Sequence, residues 1–578
     1  MASKTSPELR YIVWLAVSGV LGVVGILLTG TAQSVFLISA TVVAGLPLSA
    51  RVIKASMLRR ASIAIAAVVA SGIWLIMGEH TLAFLTASSG LALLLLVHSV
   101  LQGFKRAAAS KLPQNPLLVR VVRADRETRV AFEKIRIGDR VAVRRGEHIP
   151  VDGRLISDSG RVSYAPSGTV LTLTGGDAVT AGFIALSNIV ILAESVGQHS
   201  TNSVVHATLK RFLATEHPAL KVVDVSMFVL QLVWIVGVIT FAVADRIALQ
   251  SAALITLCGV WWLAPVLIRA GLYIYLKKLL KHGVVLTSWR ALVGFKAARS
   301  IIFNYTGTLT STLPIVTEVI PGTNFSAQDV LRVASSLEQG IDHPIARAVR
   351  HEAYERDVKT MGSVEVEIIP SLGIQARVQD EIFVIGSVKL LSDLGLQVSP
   401  DILRRSERAA ENGATIVHIA SQQTYIGTLV LSDVPQAAAR DTVHCLRRGG
   451  KDSYAISGAQ ASAMQAALSS LGIANDQAWS GLTPSKRAEK VREIDAQTAA
   501  VVADPASDAQ LMQAGAIGLA LGGRGDALAA PYVHIMLRSH DIASLCTLDS
   551  IARALPKLIA GAASIATAVS LVSAALLF

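Results

Sequence analysis

Long apolar runs and polar, β-textured blocks alternate along this 578-residue chain. Stretches long enough to span a bilayer as helices occur at about 11–30, 32–50, 61–78, 81–101, 225–243, 250–275 and 556–578. They predict about seven membrane helices. Two hydrophilic blocks, about 112–220 and 284–550, separate them. From Leu117 the first block breaks into short alternating runs punctuated by Gly and Pro, a β-rich texture. The second alternates strands (300–303, 425–431, 499–504, 516–522) with helical segments, which predicts a doubly wound parallel sheet. A mixed helical and β stretch, 321–427, interrupts it as an inserted domain.

Composition supports the membrane reading. Hydrophobic residues make up 52% of the chain and the mean hydropathy is +0.52, above the range of soluble globular proteins. The net charge is +12, and its placement matters more than its size. Arg51, Lys54, Arg59 and Arg60 follow the second apolar run. Lys105, Arg106 and Lys111 follow the fourth, and Lys277, Lys278 and Lys281 the sixth. By the positive-inside rule, the N-terminus and both hydrophilic blocks are cytoplasmic in a multi-pass inner-membrane protein, with basic helix ends drawn to anionic lipid. The basic residues hug helix ends instead of forming one aromatic-interleaved face, so no nucleic-acid partner is expected. The first apolar run lacks a small-residue cleavage site and reads as a retained span. Three cysteines, Cys258, Cys445 and Cys546, do not suggest a disulfide framework.

The candidate chemistry lies where a strand runs into Asn304-Tyr305-Thr306-Gly307-Thr308-Leu309-Thr310. This segment resembles the phosphorylation loop of the P-type ATPases, Asp-Lys-Thr-Gly-Thr-Leu-Thr, with Asn304 in the slot of the phosphorylated Asp and Tyr305 in the Lys slot. Three further matches follow the family's order. They are Ile137-Gly138-Asp139 with Pro150-Val151-Asp152-Gly153, then Glu338-Gln339-Gly340-Ile341-Asp342-His343-Pro344, then Gly522-Gly523. The His-Pro pair is characteristic of the heavy-metal-transporting class, which the whole order of parts resembles.

That resemblance implies a polytopic α-helical membrane protein with cytoplasmic P-type ATPase domains. Membrane helices occupy 1–111, 221–283 and 551–578, and a β-rich actuator domain occupies 112–220. An α/β HAD-like phosphorylation domain is split into 284–320 and 428–550, with an inserted α+β nucleotide-binding domain at 321–427. One closing helix stands where the class has two, which would put the C-terminus outside the cytoplasm.

Departures from the class concentrate at chemistry. An amide has neither the charge nor the free lone pair that a carboxylate uses to accept a phosphoryl group. The actuator's Thr-Gly-Glu, whose Glu positions the hydrolytic water, corresponds to Ser167-Gly168-Thr169, and Thr is no general base near neutral pH. Thr-Gly-Asp corresponds to Ser457-Gly458-Ala459, and Gly-Asp-Gly-x-Asn-Asp to Ala503-Asp504-Pro505-Ala506-Ser507-Asp508. The expected Lys near Pro484 is Arg487, beside Lys486. For Mg²⁺, Asp504 and the carbonyl of Thr306 remain. Cys-Pro-Cys on the sixth helix becomes Thr256-Leu257-Cys258, leaving Cys258 as the sole thiol where soft-metal transport needs several ligands. Cys258 and Cys445 also read as packing residues.

His343, Gly373 and Gly386 are the candidates for an adenine pocket, with Arg487 as a further nucleotide contact. Pro370-Ser371-Leu372-Gly373 has lost one glycine of the class's Pro-Gly-x-Gly. Ala44-Gly45-Leu46-Pro47 is a kinking sequence that, in the class, makes a docking platform for metal-delivering partners; an ordinary positive-inside loop is the alternative. Glu79 and His80 read as a solvated turn.

The expected function is that of a P-type ATPase-like membrane protein without phosphoenzyme chemistry. It would act as a scaffold, assembly factor or regulator and associate with a membrane-protein partner or complex. A heavy-metal (copper- or zinc-type) pump with atypical motifs, and an ATP-sensing switch without hydrolysis, are the alternatives. ATP and Mg²⁺ are cofactors only in those alternatives.

Overall fold

A computed structural model of the chain describes residues 7–123, 126–164, 169–244, 247–311, 313–339, 341, 343–369, 372–378, 381–458, 461–495, 497–523, 525–538 and 541–576. The chain forms two compact units. One comprises Met1–Ser110, Thr215–Lys278 and Arg553–Phe578, and the other Lys111–Ala214 and Leu279–Ala552.

The first unit is helical: α1 (Pro7–Leu27), α2 (Gly30–Met57), α3 (Ile63–Ile76) and α4 (His80–Ala109) come first. After α5 (Thr201–Ala214) of the other unit come α6 (Pro218–Val243), α7 (Leu249–Cys258) and α8 (Leu263–Lys281). The helix Ser544–Ala575 closes the chain. Six helical stretches among the described residues are long and apolar enough to cross a membrane; α3, with 14 residues, is shorter than the expected span.

Small residues let the leading helices approach closely. A Cβ added at Gly90 of α4 would lie 2.5 Å from that of Ala67 on α3. Gln231 of α6 ties down the start of α3. Its Oε1 accepts from Ser62 N at 3.0 Å and its Nε2 donates to Ser62 O at 2.9 Å. The kinking sequence lies within α2, which runs to Met57 with Pro47 inside it.

The predicted single span at 250–275 is two helices. It breaks at 259–262 although the class's proline is Leu257. Distant side chains hold the break instead. Trp234 Nε1 donates to the carbonyl of Ile255 at 3.0 Å, and the Ser570 hydroxyl accepts from Val260 N at 3.0 Å. The Trp234 ring covers Gly259 so closely that a Cβ there would lie 2.6 Å from its Cδ1.

The second unit contains three sheet systems. In the first hydrophilic block, a six-stranded antiparallel sheet packs with a three-stranded one around Val121, Val141, Ile149 and Tyr164. A seven-stranded sheet centres on Ser300–Asn304, which is wholly buried and parallel to both Asp452–Ile456 and Ala500–Ala503. The inserted domain is a six-stranded antiparallel sheet carrying helices Ala327–Leu337 and Pro344–Glu355.

The β-rich domain is pinned to the parallel-sheet domain. Gly525 N donates to the Thr201 hydroxyl at 2.6 Å, where a Cβ on Gly525 would meet Thr201 Cα at 2.6 Å. Arg538, 3% exposed, donates through Nη2 to Ala181 O at 2.7 Å and lies 4.9 Å over the Tyr164 ring. Its charge is thus buried against a carbonyl and an aromatic face.

Candidate functional site: a closed amide–carboxylate–guanidinium cluster

Asn304 ends an interior strand at the carboxyl edge of the parallel strands, where ligand sites form in such folds. The chain then makes a wide helical turn, Tyr305–Leu309, with Gly307 at φ +75°, a left-handed conformation that favours glycine. Thr310 locks the turn: its hydroxyl accepts from Gly307 N at 3.0 Å, and its own N–H donates to Tyr305 O at 3.2 Å.

The Asn304 side chain is fully engaged. Its Nδ2 donates to Asp508 Oδ2 at 2.8 Å and to the carbonyl of Thr306 at 3.1 Å, while its Oδ1 accepts from Arg487 Nη1 at 3.4 Å. The same Arg487 nitrogen donates to Asp508 Oδ1 at 2.8 Å, and the Ser507 hydroxyl to Asp508 Oδ2 at 3.0 Å. Asp508 has a side-chain exposure of 3%. Its one negative charge is met by one guanidinium and an amide proton, so the cluster is neutral and its acceptors are occupied. A cavity of about 260 Å³ lies beside it, lined by Pro484, Arg487, Ser507 and Asp508. That is below the usual range of about 300–1,000 Å³ for ligand clefts.

Tyr305 is buried one residue on. Burial, and then the nearby Asp433 carboxylate, push its phenol up to about 12. Burial likewise raises the Asp433 carboxyl, opposed by a hydrogen bond from Thr306. Asp504 caps its own turn by accepting from Ala506 N at 2.9 Å.

These residues do not fit Mg²⁺. Of the two expected ligands, the Thr306 carbonyl accepts from Asn304 and one Asp504 oxygen accepts from Ala506 N; the neighbouring Asp508 carboxylate also accepts from Asn304, and Arg487 carries positive charge into the same cluster. Of the quoted hinge motif, Asp508 is the residue that contacts Asn304. Its importance could have been read from its place in that motif, whereas Asp433 carried no local signal.

The other sequence candidates lie elsewhere. Thr169 begins a strand opposite Tyr164, and its side chain, with Ser167, Gly168 and Ala459, lies outside the described residues. Gly340, Asp342, Pro370 and Ser371 lie outside them too. His343 is exposed and caps helix Pro344–Glu355 by accepting from Ile345 N through Nδ1 at 3.3 Å.

Gly373 and Gly386 face one another across paired strands. A Cβ on Gly373 would meet Ile385 O at 2.2 Å and one on Gly386 would meet Leu372 O at 2.2 Å, so each glycine makes room for the opposite strand. Near His343 in sequence, Glu338 is 4% exposed and its Oε2 has no hydrogen-bond partner. Burial, opposed by Arg350, pushes its carboxyl up to about 7. Cys258 ends α7 at the helix break. No group of three or more His, Cys, Asp or Glu suited to a metal occurs among the described residues.

Comparison with known proteins follows this geometry. Residues 114–210 match the family profile described as P-type ATPase actuator domain. The chain is 26% identical over 413 residues to a "Probable copper-exporting P-type ATPase V" of Mycobacterium tuberculosis, covering 68% of this chain and 53% of that protein. It is 27% identical over 427 residues to a "Probable copper-exporting P-type ATPase" of Archaeoglobus fulgidus, covering 70% and 51% respectively. The chain thus spans about half the length of the curated relatives it matches. A crystal structure of a zinc-transporting PIB-type ATPase in the E2.Pi state shares its fold, with a TM-score of 0.54 and 21% identity over all of this chain and 95% of that one. In its actuator domain, in sequence over about 70% of its length and in fold, the chain is similar to heavy-metal-transporting P-type ATPases.

Proposed function

We propose that this chain is a member of the heavy-metal-transporting class of P-type ATPases that makes no phosphoenzyme and acts by binding, as a scaffold, assembly factor or regulator of another membrane protein or complex. The observation that carries this reading is the Asn304–Asp508–Arg487 cluster, in which the Asn304 amide and the Asp508 carboxylate are hydrogen-bonded, and the carboxylate's charge is met, without phosphate or magnesium. Asn304 cannot accept a phosphoryl group, because an acyl phosphate needs a carboxylate oxygen as nucleophile. Its amide and Arg487 take up the Asp508 charge that would otherwise call for a cation. The basic helix ends support an inner-membrane location with the soluble unit in the cytoplasm.

The similarity to copper-exporting P-type ATPases favours a second reading, a working heavy-metal pump with altered motifs. Labelling of the purified chain, reconstituted in lipid, with ³²P-ATP separates the two. The scaffold reading expects no acid-stable labelled protein and no metal-stimulated ATP hydrolysis with copper, silver, zinc or cadmium. Labelling that disappears in Asn304→Ala would establish the pump.

A further inference from the structure

Within the helical unit, a cavity of about 250 Å³ opens where α2 and α4 approach their C-terminal ends and α6 begins. Arg51, Lys54, Arg60 and Arg269 line it with a single carboxylate, Asp224. Leu94, Val97 and Leu101 of α4 supply an apolar wall.

The charges fall into two sets. Arg269 Nη2 lies 2.7 Å and Arg60 Nε 3.3 Å from Asp224 Oδ2, and both guanidiniums also reach Glu216. Two cations thus meet two anions, and that set is neutral. Arg51 and Lys54, one turn apart on α2, have no carboxylate partner among the described residues. They give the cavity an unbalanced charge of two beside a greasy wall. Ile53 and Met57 continue the apolar surface outward, with exposures of 63% and 81%.

We infer that this cavity holds the phosphate of an anionic phospholipid, with Arg51 and Lys54 as its counter-charges and an acyl chain along the α4 wall. Basic pockets between membrane helices are suited to such headgroups. A free phosphate ion would satisfy the charge but leave the apolar wall and rim without a partner. A metal cation is opposed by four positive side chains, and the one carboxylate is already doubly paired.

The test uses the full chain, purified in neutral detergent and examined by native mass spectrometry. The probes are phosphatidylglycerol, phosphatidylcholine with the same acyl chains, and inorganic phosphate. Phosphatidylglycerol is expected to bind in preference to phosphatidylcholine, and inorganic phosphate at equal concentration should not displace it. Arg51→Gln with Lys54→Gln should weaken phosphatidylglycerol binding by about 30-fold, since each basic residue near the surface contributes about 1 kcal/mol. Arg51→Lys with Lys54→Arg should retain it. Lys277→Gln with Lys278→Gln removes the same charge from exposed positions outside the cavity and should leave binding unchanged. Equal binding of the two lipids, or equal weakening by the two Gln pairs, would overturn the inference. Displacement by inorganic phosphate would make the site one for the free ion and overturn the lipid assignment.

Discussion

Asn304 and Asp508, 204 positions apart in sequence, are joined by a 2.8 Å hydrogen bond in which the amide donates and the carboxylate accepts. The bond has a direction that a second carboxylate could not supply. In Asn304→Asp, two anions would face each other in a buried site with one guanidinium between them. That substitution is expected to lower stability by about 1–3 kcal/mol in EDTA, the cost of an unsatisfied buried polar group. Millimolar Mg²⁺ should recover part of the loss. Thermal unfolding in detergent, with and without the cation, measures both effects. Equal melting of variant and wild type in EDTA would contradict the proposed balance of charge.

Arg487 is the counter-charge of the same cluster. Arg487→Met leaves the Asp508 carboxylate buried without a cation, an arrangement that costs about 3–5 kcal/mol. Adding Asp508→Asn should restore most of the lost stability. A double-mutant cycle therefore expects strong coupling, and additive losses would separate the two residues.

The inserted domain holds two buried titratable groups with opposite pH dependence. Glu338 is held at about 7 against 4.5, so the folded state binds more protons and stability falls as pH rises through that window. Burial holds His418 at about 4 against 6.5, so the folded state binds fewer protons and stability is lost as pH falls from 6.5. Each contributes at most about 3 kcal/mol, and between pH 4.5 and 6.5 the two nearly cancel. In Glu338→Gln only the histidine slope remains. Hydrogen exchange of strand Thr415–Ser421 in the full chain, corrected for the intrinsic rate, should then show protection climbing with pH where the wild type is nearly flat.

Gly259 sits beneath the Trp234 ring at the break between α7 and α8. Gly259→Ala drives a methyl group into Cδ1, and overpacking of this kind costs about 1–3 kcal/mol. Trp234→Ala in the same chain removes the obstacle. The double variant should therefore lose less stability than the sum of the two single changes, as read by thermal unfolding in detergent.

Much of the architecture is legible from local pattern. Apolar runs locate the helices, and β-texture and strand–helix alternation distinguish the soluble domains. The loop around Asn304 carries an amide where the loop it resembles carries a carboxylate. What local pattern cannot carry is compensation. That Asp508 and Arg487 close around Asn304 depends on where distant strands end in one sheet. The break after Cys258 likewise needs Trp234 and Ser570, the latter 310 residues beyond Val260. The apolar run at 250–275 predicts one helix, whereas side chains from two other helices bond the backbone at the break. Gly373 and Gly386 have a structural reason to lack side chains that local pattern does not show, their opposition across a strand pair.

The guanidinium of Arg538, sealed under Tyr164 and Ala181, bears on what the soluble half can do mechanically. Any swivel of one domain on the other would strip that cation of its carbonyl and its ring together, and would tear Thr201 from Gly525. Such a joint resists turning and favours a single posture. A partner protein would meet one constant outline, which is worth more to a fixture than to an engine.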